Sequence, residues 1–252
     1  HDLAEKCGLN VPEAKIEKFS KLGTTFLVKR FDRDGEQRIH FSSAMTVLGK
    51  KDGANATDGS SYLEIVSFLK ADGAKPKRDL EELWKRIVFS MAVSNTDDHF
   101  RNHGFILSHD GWELSPLYDV NPDIYGEYLS LNVDADNSSI DFELAVQAAP
   151  YYGIGKKYAV QEVDKIKNTV QIRTRRPGDR IQVQSGGGHK KLKDYLIDSK
   201  IPQNQRDSLV LLADGKEIIW VVGMRISEAY KITQETKRIL SMCVNGGEEK
   251  NE

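Results

Sequence analysis

The chain has 252 residues, of which 39% are hydrophobic and 29% charged, and its formal net charge is −2. This composition is typical of a soluble globular protein, and the lack of any run of 18 apolar residues argues against a membrane-spanning helix. Cys7 and Cys243 are too few and too far apart for a disulfide framework, which favours a reducing cytoplasm as the location.

The small net charge hides an uneven distribution. Residues 171–240 contain 14 Lys and Arg against 8 Asp and Glu, a net charge of +6, whereas residues 1–170 carry −6. A step of this size predicts two units with different partners, and a basic unit suits a polyanion such as nucleic acid. Chance variation of the surface charge is the alternative.

The first part of the chain combines short strands and short helices. Residues 25–31 predict a strand, and turn-forming residues follow at 32–35. Residues 42–48 and 61–69 predict two short helices.

The clearest helix is predicted over residues 79–93, where apolar residues recur at the i, i+3, i+4 spacing of a buried face. Asp79 is its predicted N-cap. After a polar loop, residues 104–108 and 112–115 predict a hairpin, because the intervening His-Asp-Gly is a strong turn signal.

Residues 140–170 predict further helices, broken near Pro150 and Gly153. From about residue 170, short strands and glycine-rich loops replace the helices. The predicted fold class is therefore α+β, with a mainly helical unit over residues 1–169 and a small α+β or β unit over residues 170–245.

The polar loop after the main helix carries a candidate catalytic pattern. Asp97 is followed five positions later by Asn102, and Asp119 follows the predicted hairpin. Protein kinases use this order: the loop aspartate accepts the proton of the substrate hydroxyl, and the asparagine and the later aspartate hold magnesium on the nucleotide phosphates. Each residue alone could simply cap a turn, but the ordered combination favours a phosphotransferase.

A second interpretation of this loop is a metal site formed by His99 and His103. Two histidines four residues apart share a face only on a helix, and the strand predicted from Gly104 argues against helical backbone there.

Three segments resemble the HipA family of toxin kinases. They are Ser94 to Phe105, Ser115 to Pro122, and Arg30-Phe31-Asp32-Arg33, which is similar to the family's adenine-contacting hinge. The resemblance covers about residues 1–168 and implies the C-terminal lobe of a serine/threonine kinase.

The resemblance also implies roles and partners. Asp97 would be the catalytic base, Asn102 and Asp119 the magnesium ligands, and Phe31 part of the adenine pocket, with ATP and Mg²⁺ as cofactors. Members of this family phosphorylate serine or threonine on proteins and usually pair with a helix-turn-helix antitoxin.

One departure from the family concerns the nucleotide. The family places a phosphate-binding loop and an ATP-pairing lysine before the hinge, but only 28 residues precede Lys29 here and none forms a Gly-rich loop. The nucleotide-holding lobe is therefore expected to be missing, and this chain alone is expected to bind ATP weakly.

The basic segment combines clustered cations with glycines, which allow a backbone to approach phosphate closely. A solvated basic face is the alternative. His189 could stack on a base or hydrogen-bond a 2′-hydroxyl. The candidate RNA contacts are Arg173, Arg175, Arg176, Arg180, His189, Lys190, Lys191 and Lys193.

This segment resembles the C-terminal domain of tRNA(Ile)-lysidine synthetase (TilS) over about residues 170–240. The resemblance is carried by Arg173 to Arg180, His189 to Asp194 and Ile219 to Ile226. In that family the domain recognises tRNA and is not catalytic, which makes tRNA the expected partner. The motif Ser-Gly-Gly-x-Asp-Ser of the catalytic domain does not occur here.

The two resemblances meet near residues 168–171, with no Pro-, Ser- or Gly-rich linker between them. A composite or engineered chain is the favoured explanation, and a natural fusion is the alternative. Three functional hypotheses follow: a kinase module, a tRNA-binding module whose kinase part is inert, and a structural chain in which neither part acts.

Overall fold

The computed structural model describes residues 1–20, 23–122, 126–169, 171–184 and 186–231. The chain divides into two compact units, one comprising mainly Leu3–Thr169 and the other mainly Val170–Glu252. Both contain helices and strands, so the mixture of the two in the predicted α+β class is confirmed. None of the helices in the described part of the chain is long and apolar enough to cross a membrane.

The first unit combines its helices with small antiparallel sheets. Strands pair as β1–β2, β3–β4 and β5–β6–β7. In chain order, the elements are α1 (Asp2–Lys6), β1 (Ala14–Ser20), β2 (Gly23–Val28), β3 (Arg33–Asp34), β4 (Gln37–Arg38), β5 (Phe41–Ser43), α2 (Ala44–Val47), α3 (Tyr62–Asp72), α4 (Pro76–Val93), β6 (Gly104–Ser108), β7 (Gly111–Leu114), α5 (Phe142–Ala148) and α6 (Lys156–Thr169).

Several predicted elements are confirmed. The hairpin of β6 and β7 forms with Ser108 opposite Gly111 at its turn. The helix predicted at 61–69 is α3, which begins after Ser61 in a capping box with Glu64. Such a box satisfies two backbone N–H groups that would otherwise lack partners at the helix start.

The predicted N-cap of the main helix is wrong. α4 begins at Pro76, after Lys75, so Asp79 lies inside its first turns. Proline suits the first helical position because its missing N–H needs no partner there. Asp79 is buried and accepts a hydrogen bond from the backbone N–H of Leu114 at 3.0 Å. Burial raises the pKa of Asp79 even though Arg78 pairs with it.

The core of the first unit lies along α4. Leu83, Trp84, Ile87 and Val88 are fully buried on the predicted face. The indole N–H of Trp84 donates to the carbonyl of Ala145 at 2.9 Å, which ties α4 to α5. Full burial of one such aliphatic side chain stabilises the fold by about 1.5–3 kcal/mol. α4 is therefore a rigid support for the loop that follows it.

The second unit forms a six-stranded sheet among its described residues, in the order β10-β9-β12-β11-β8, with β13 paired to β12. A core of apolar side chains, including Ile181, Leu196, Leu211 and Val221, packs on it. Its elements are β8 (Gln171–Arg173), β9 (Arg180–Gln182), β10 (His189–Lys191), α7 (Leu192–Asp198), β11 (Leu211–Asp214), β12 (Glu217–Val221) and β13 (Arg225–Ile226).

Residues 217–226 form two paired strands, β12 and β13. Val221 pairs with Arg225, and Gly223 between them has φ of +74°, a conformation that glycine adopts without steric cost. The part of the predicted second unit from residue 232 to 245 lies outside the described residues.

Candidate functional site

The end of α4 sets the position of the candidate catalytic loop. Ser94 closes the helix with φ of 54°, in the left-handed region. Asn95 then folds back, and its N–H donates to the carbonyl of Ser90 at 2.8 Å. Residues 96–99 leave the helix axis, and a single 3-10 turn, Phe100–Asn102, leads into β6.

The Asn102 side chain joins the three predicted site residues. It is buried, and its Nδ2 donates to the carbonyl of Asp97 at 2.8 Å and to the carbonyl of Asp119 at 3.5 Å. Because the amide nitrogen points at these carbonyls, the Oδ1 atom is left to act as a ligand. The structure therefore brings Asp97, Asn102 and Asp119 together, and their individual roles remain predictions.

Asp119 is held in an unusual conformation. Its φ of 55° lies in the left-handed region, which costs an ordinary residue about 1–2 kcal/mol. Asn121 restrains its side chain, because Asn121 Nδ2 donates to Asp119 Oδ1 at 2.7 Å. The N–H of Asn121 in turn donates to Asn95 Oδ1 at 3.3 Å, which links this turn to the loop after α4.

Two adjacent aspartates in the loop have opposite environments. The Asp97 side chain is 70% exposed, and its nearest ion-pair partner is His99, with Nε2 3.7 Å from Oδ1. Asp97 is therefore open to a substrate hydroxyl, as a general base must be.

Asp98 is 3% exposed and lies among three polar side chains. Its Oδ2 accepts from the hydroxyls of Tyr62 at 2.8 Å and Ser90 at 3.3 Å, and His103 Nε2 lies 3.1 Å from Oδ1. Burial alone would raise the pKa of Asp98, but the charge of His103 and these hydrogen bonds outweigh it and hold the pKa below its ordinary value.

Phe31 lies beside the predicted metal ligand. Its ring stacks on Tyr118, the residue before Asp119, with centroids 5.9 Å apart, and tilts against Phe41 at 5.8 Å. The Tyr118 hydroxyl donates to the carbonyl of Arg101 at 2.7 Å. Glycine is needed at residue 104, because a Cβ there would lie 2.2 Å from the Phe41 ring.

The donors at this site fit magnesium. Mg²⁺ prefers oxygen ligands, usually one or two carboxylates with several waters. Asp119 offers a carboxylate oxygen that Asn121 does not occupy, and Asn102 offers an amide oxygen. The alternative site at His99 and His103 lacks the helical backbone that it needs, since β6 starts at Gly104. No group of three His, Cys, Asp and Glu side chains within the described ranges could hold a metal ion.

A cavity of about 420 Å³ opens beside the candidate catalytic loop, and the sequence does not predict it. His99 and Arg101 contribute one wall, and Lys51 and Asp52 another. Arg101 Nη1 pairs with Asp52 Oδ1 at 2.8 Å. No local motif signals this pair, because its two members are distant in the sequence.

The basic segment of the second unit separates into buried and exposed cations. Arg173, a predicted RNA contact, has its partners within the fold, and its contact with RNA stays a prediction. Its side chain is 7% exposed, forms two 2.8 Å hydrogen bonds to the buried Asp179, and also donates to the carbonyl of Gly215 at 2.7 Å. These contacts occupy most of the Arg173 guanidinium and leave it little surface for a phosphate.

Most of the other predicted contacts are exposed or half-buried, and they already have partners within the fold. Arg175 pairs with Asp207, Lys190 pairs with Asp198, and Arg180 and His189 share Glu217. Arg176 donates to the Gln171 amide oxygen at 3.0 Å. Lys191 and Lys193 are exposed and form no ion pair with the residues that the structure describes.

Comparison with known protein families matches two parts of the chain. Residues 1–174 match the HipA-like C-terminal domain, and residues 170–242 match the TilS substrate C-terminal domain.

The curated relatives match through a limited part of their length. The tRNA(Ile)-lysidine synthase of Caldanaerobacter subterraneus subsp. tengcongensis is 46% identical over 79 residues, 31% of this chain and 17% of the relative. The enzyme of the same name from Clostridium tetani is 37% identical over 126 residues, 49% of this chain and 27% of the relative. The chain thus spans about a quarter or less of these proteins.

Among solved structures, Shewanella oneidensis MR-1 HipA, determined with HipB and its operator DNA, has a TM-score of 0.56 to this chain. The two are 22% identical, and the likeness covers 65% of this chain and 44% of that one. At this identity the match supports a shared fold.

Proposed function

Because this chain belongs to the family of HipA-like C-terminal domains through residues 1–174, we propose that its first unit is the catalytic-loop and magnesium-binding part of a serine/threonine protein kinase. Asp97 accepts the proton of the substrate hydroxyl. Asn102 and Asp119 hold Mg²⁺ on the phosphates of ATP, and Phe31 lines the adenine side of the pocket. A helix-turn-helix antitoxin like HipB is its proposed protein partner.

The bridging amide of Asn102 carries this proposal. One buried side chain fixes the backbone of both the base and the second metal ligand, at 2.8 Å and 3.5 Å. Phosphoryl transfer depends mainly on positioning and charge stabilisation, so a rigid arrangement of these residues is what the reaction requires. The same amide leaves an oxygen for the metal.

The test is titration of the full chain with Mn²⁺, as a spectroscopic substitute for Mg²⁺, with and without ATP. We expect Asp119→Asn to weaken metal binding at least tenfold, because it removes the carboxylate ligand. Asp97→Asn should leave metal affinity within about twofold of wild type, since Asp97 is assigned as a base. Equal Mn²⁺ affinity in wild type and Asp119→Asn would contradict the metal assignment.

A matched control is Asp110→Asn. Asp110 lies in the turn between β6 and β7 with its side chain 80% exposed, and it is paired only with the exposed His109. The Asp110→Asn variant removes one negative charge, as Asp119→Asn does, but it changes no residue of the candidate metal site. A loss of Mn²⁺ affinity in this variant as well would indicate diffuse attraction by acidic side chains.

For the second unit we propose tRNA binding, favoured by the match of residues 170–242 to the TilS substrate C-terminal domain and by the surface cations Lys191 and Lys193, which have no ion-pair partner in the part of the chain that the structure describes. Each cation that neutralises a phosphate releases a counterion, so affinity should fall by about 0.7–0.9 log units per log of salt for each contact.

The test compares two lysines in the same strand. We expect Lys191→Gln to weaken tRNA binding by the full chain. The slope of log affinity against log salt should also become shallower by about 0.7–0.9, the contribution of one phosphate contact. Lys190→Gln removes the same charge, but Asp198 already balances Lys190, so its effect should be smaller. No tRNA binding by wild type at low salt would contradict the proposal, and equal effects of the two variants would contradict the assigned contact.

A further inference from the structure

A buried asparagine lies between the two loops of the candidate site. Asn95 is 1% exposed. Its Nδ2 donates to the Ser90 hydroxyl at 3.4 Å, and its Oδ1 accepts from the N–H of Asn121 at 3.3 Å. Ser90 in turn donates to Asp98, the neighbour of the proposed base, at 3.3 Å. The Asn95 side chain therefore contacts the turn of Asp119 directly and is linked to the loop of Asp97 through Ser90.

The turn of Asp119 needs such an anchor. Asp119 has a left-handed φ of 55°, a conformation that persists only when its surroundings enforce it. The direct link from Asn102 to the Asp119 carbonyl is long, at 3.5 Å. The link through Asn95 fixes the backbone of Asn121, whose side chain orients the Asp119 carboxylate at 2.7 Å.

We propose that Asn95 is a positioning residue for the metal site. Through Asn121, it holds the Asp119 carboxylate in the position from which this carboxylate and the Asn102 amide oxygen bind the same metal ion. This inference rests on the proposed metal site. Asn95 is not one of the proposed metal ligands, and its expected contribution is comparable to that of outer hydrogen-bonding partners of metal ligands, whose loss typically weakens metal affinity by about 10–100-fold.

The experiment compares Asn95→Ala with Asn132→Ala in the full chain. Asn132 is a matched control, since it is also an asparagine in the first unit, is 2% exposed, and donates from Nδ2 to the carbonyl of Ala56 at 3.2 Å. Two quantities are measured: Mn²⁺ affinity, and hydrogen exchange of the backbone amides of residues 117–121.

We expect Asn95→Ala to weaken Mn²⁺ binding about tenfold and to accelerate exchange at residues 117–121, whereas Asn132→Ala changes neither. Ser90→Ala, which deletes only the hydroxyl that Asn95 contacts, should shift both quantities in the same direction by a smaller factor. This milder variant keeps the test decisive if Asn95→Ala does not fold.

The outcomes separate this inference from the proposed function. If wild type binds Mn²⁺ and Asp119→Asn abolishes that binding, but Asn95→Ala and Ser90→Ala bind like wild type, the positioning role is overturned and the metal site stands. If wild type binds no Mn²⁺, the proposed function fails, and with it the positioning of a metal ligand. Unchanged exchange at residues 117–121 in both variants overturns the link between the loops in either case.

Discussion

The candidate catalytic loop of the first unit and the basic segment of the second each combine a buried charged side chain with an exposed one. In the loop, Asp98 is 3% exposed with three polar partners, whereas the Asp97 side chain next to it is 70% exposed. In the basic segment, Arg173 is buried on Asp179, whereas Lys193 is exposed and unpaired among the described residues. In both regions, a buried charged side chain with several partners stabilises the fold, whereas an exposed one without such partners is available to a ligand.

The largest expected effect is in the second unit. Arg173→Ala should lower the free energy of unfolding of this unit by about 4 kcal/mol, because it leaves the buried Asp179 without its charged partner. Arg176→Ala, at an exposed position nearby, should cost well under 1 kcal/mol. Urea unfolding followed by tryptophan fluorescence checks both values. Equal costs would break the distinction between buried and exposed cations.

A somewhat smaller loss of stability is expected in the candidate catalytic loop. Asp98→Asn should lower the free energy of unfolding of the first unit by about 3 kcal/mol, since it removes the charge that His103 faces inside the protein. Asp97→Asn, one residue away and exposed, should leave stability nearly unchanged. Thermal unfolding of the two variants is the measurement, and a greater loss in Asp97→Asn would reverse their assigned roles.

The contact between Asp98 and His103 predicts that the free energy of unfolding depends on pH. The pKa of Asp98 is lower in the folded protein than in the unfolded chain, so its stabilising contribution is complete above the unfolded value of about 3.9 and is lost as pH falls through the folded pKa. Wild type should therefore lose stability in acid more steeply than Asp98→Asn. Parallel curves for the two proteins below pH 4 would show that Asp98 has no shifted pKa.

Local sequence patterns predicted the parts of the molecule that depend on local forces. The face of α4 follows from apolar spacing, and the hairpin of β6 and β7 follows from its turn residues. The grouping of Asp97, Asn102 and Asp119 agrees with their order and spacing in the chain. Strand β1 was missed, because its lysines and glutamate obscure the alternation of apolar residues.

Contacts between distant residues could not be predicted in this way. Asp79 resembles an N-cap, but it binds the backbone of Leu114, 35 residues along the chain. Arg173 resembles its exposed neighbours in the sequence, and only the folded sheet brings the Gly215 carbonyl, 42 residues away, to its guanidinium. Asn95 and Asn121 were missed for the same reason, since a single asparagine carries no motif.

The smallest expected effect concerns one hydroxyl group in the shell around Asp98. Tyr62 is fully buried and donates to Asp98 Oδ2 at 2.8 Å. Tyr62→Phe keeps the ring and removes only this donor, so it should lower the free energy of unfolding by about 1–2 kcal/mol. Tyr128→Phe, at a side chain that is 60% exposed, should change the free energy of unfolding by less than about 0.5 kcal/mol.

In the Asp98→Asn background, Tyr62→Phe should cost less than in wild type, because the charge that strengthens the Tyr62–Asp98 hydrogen bond is gone. Additive losses in the double variant would mean that Tyr62 stabilises the core independently of Asp98.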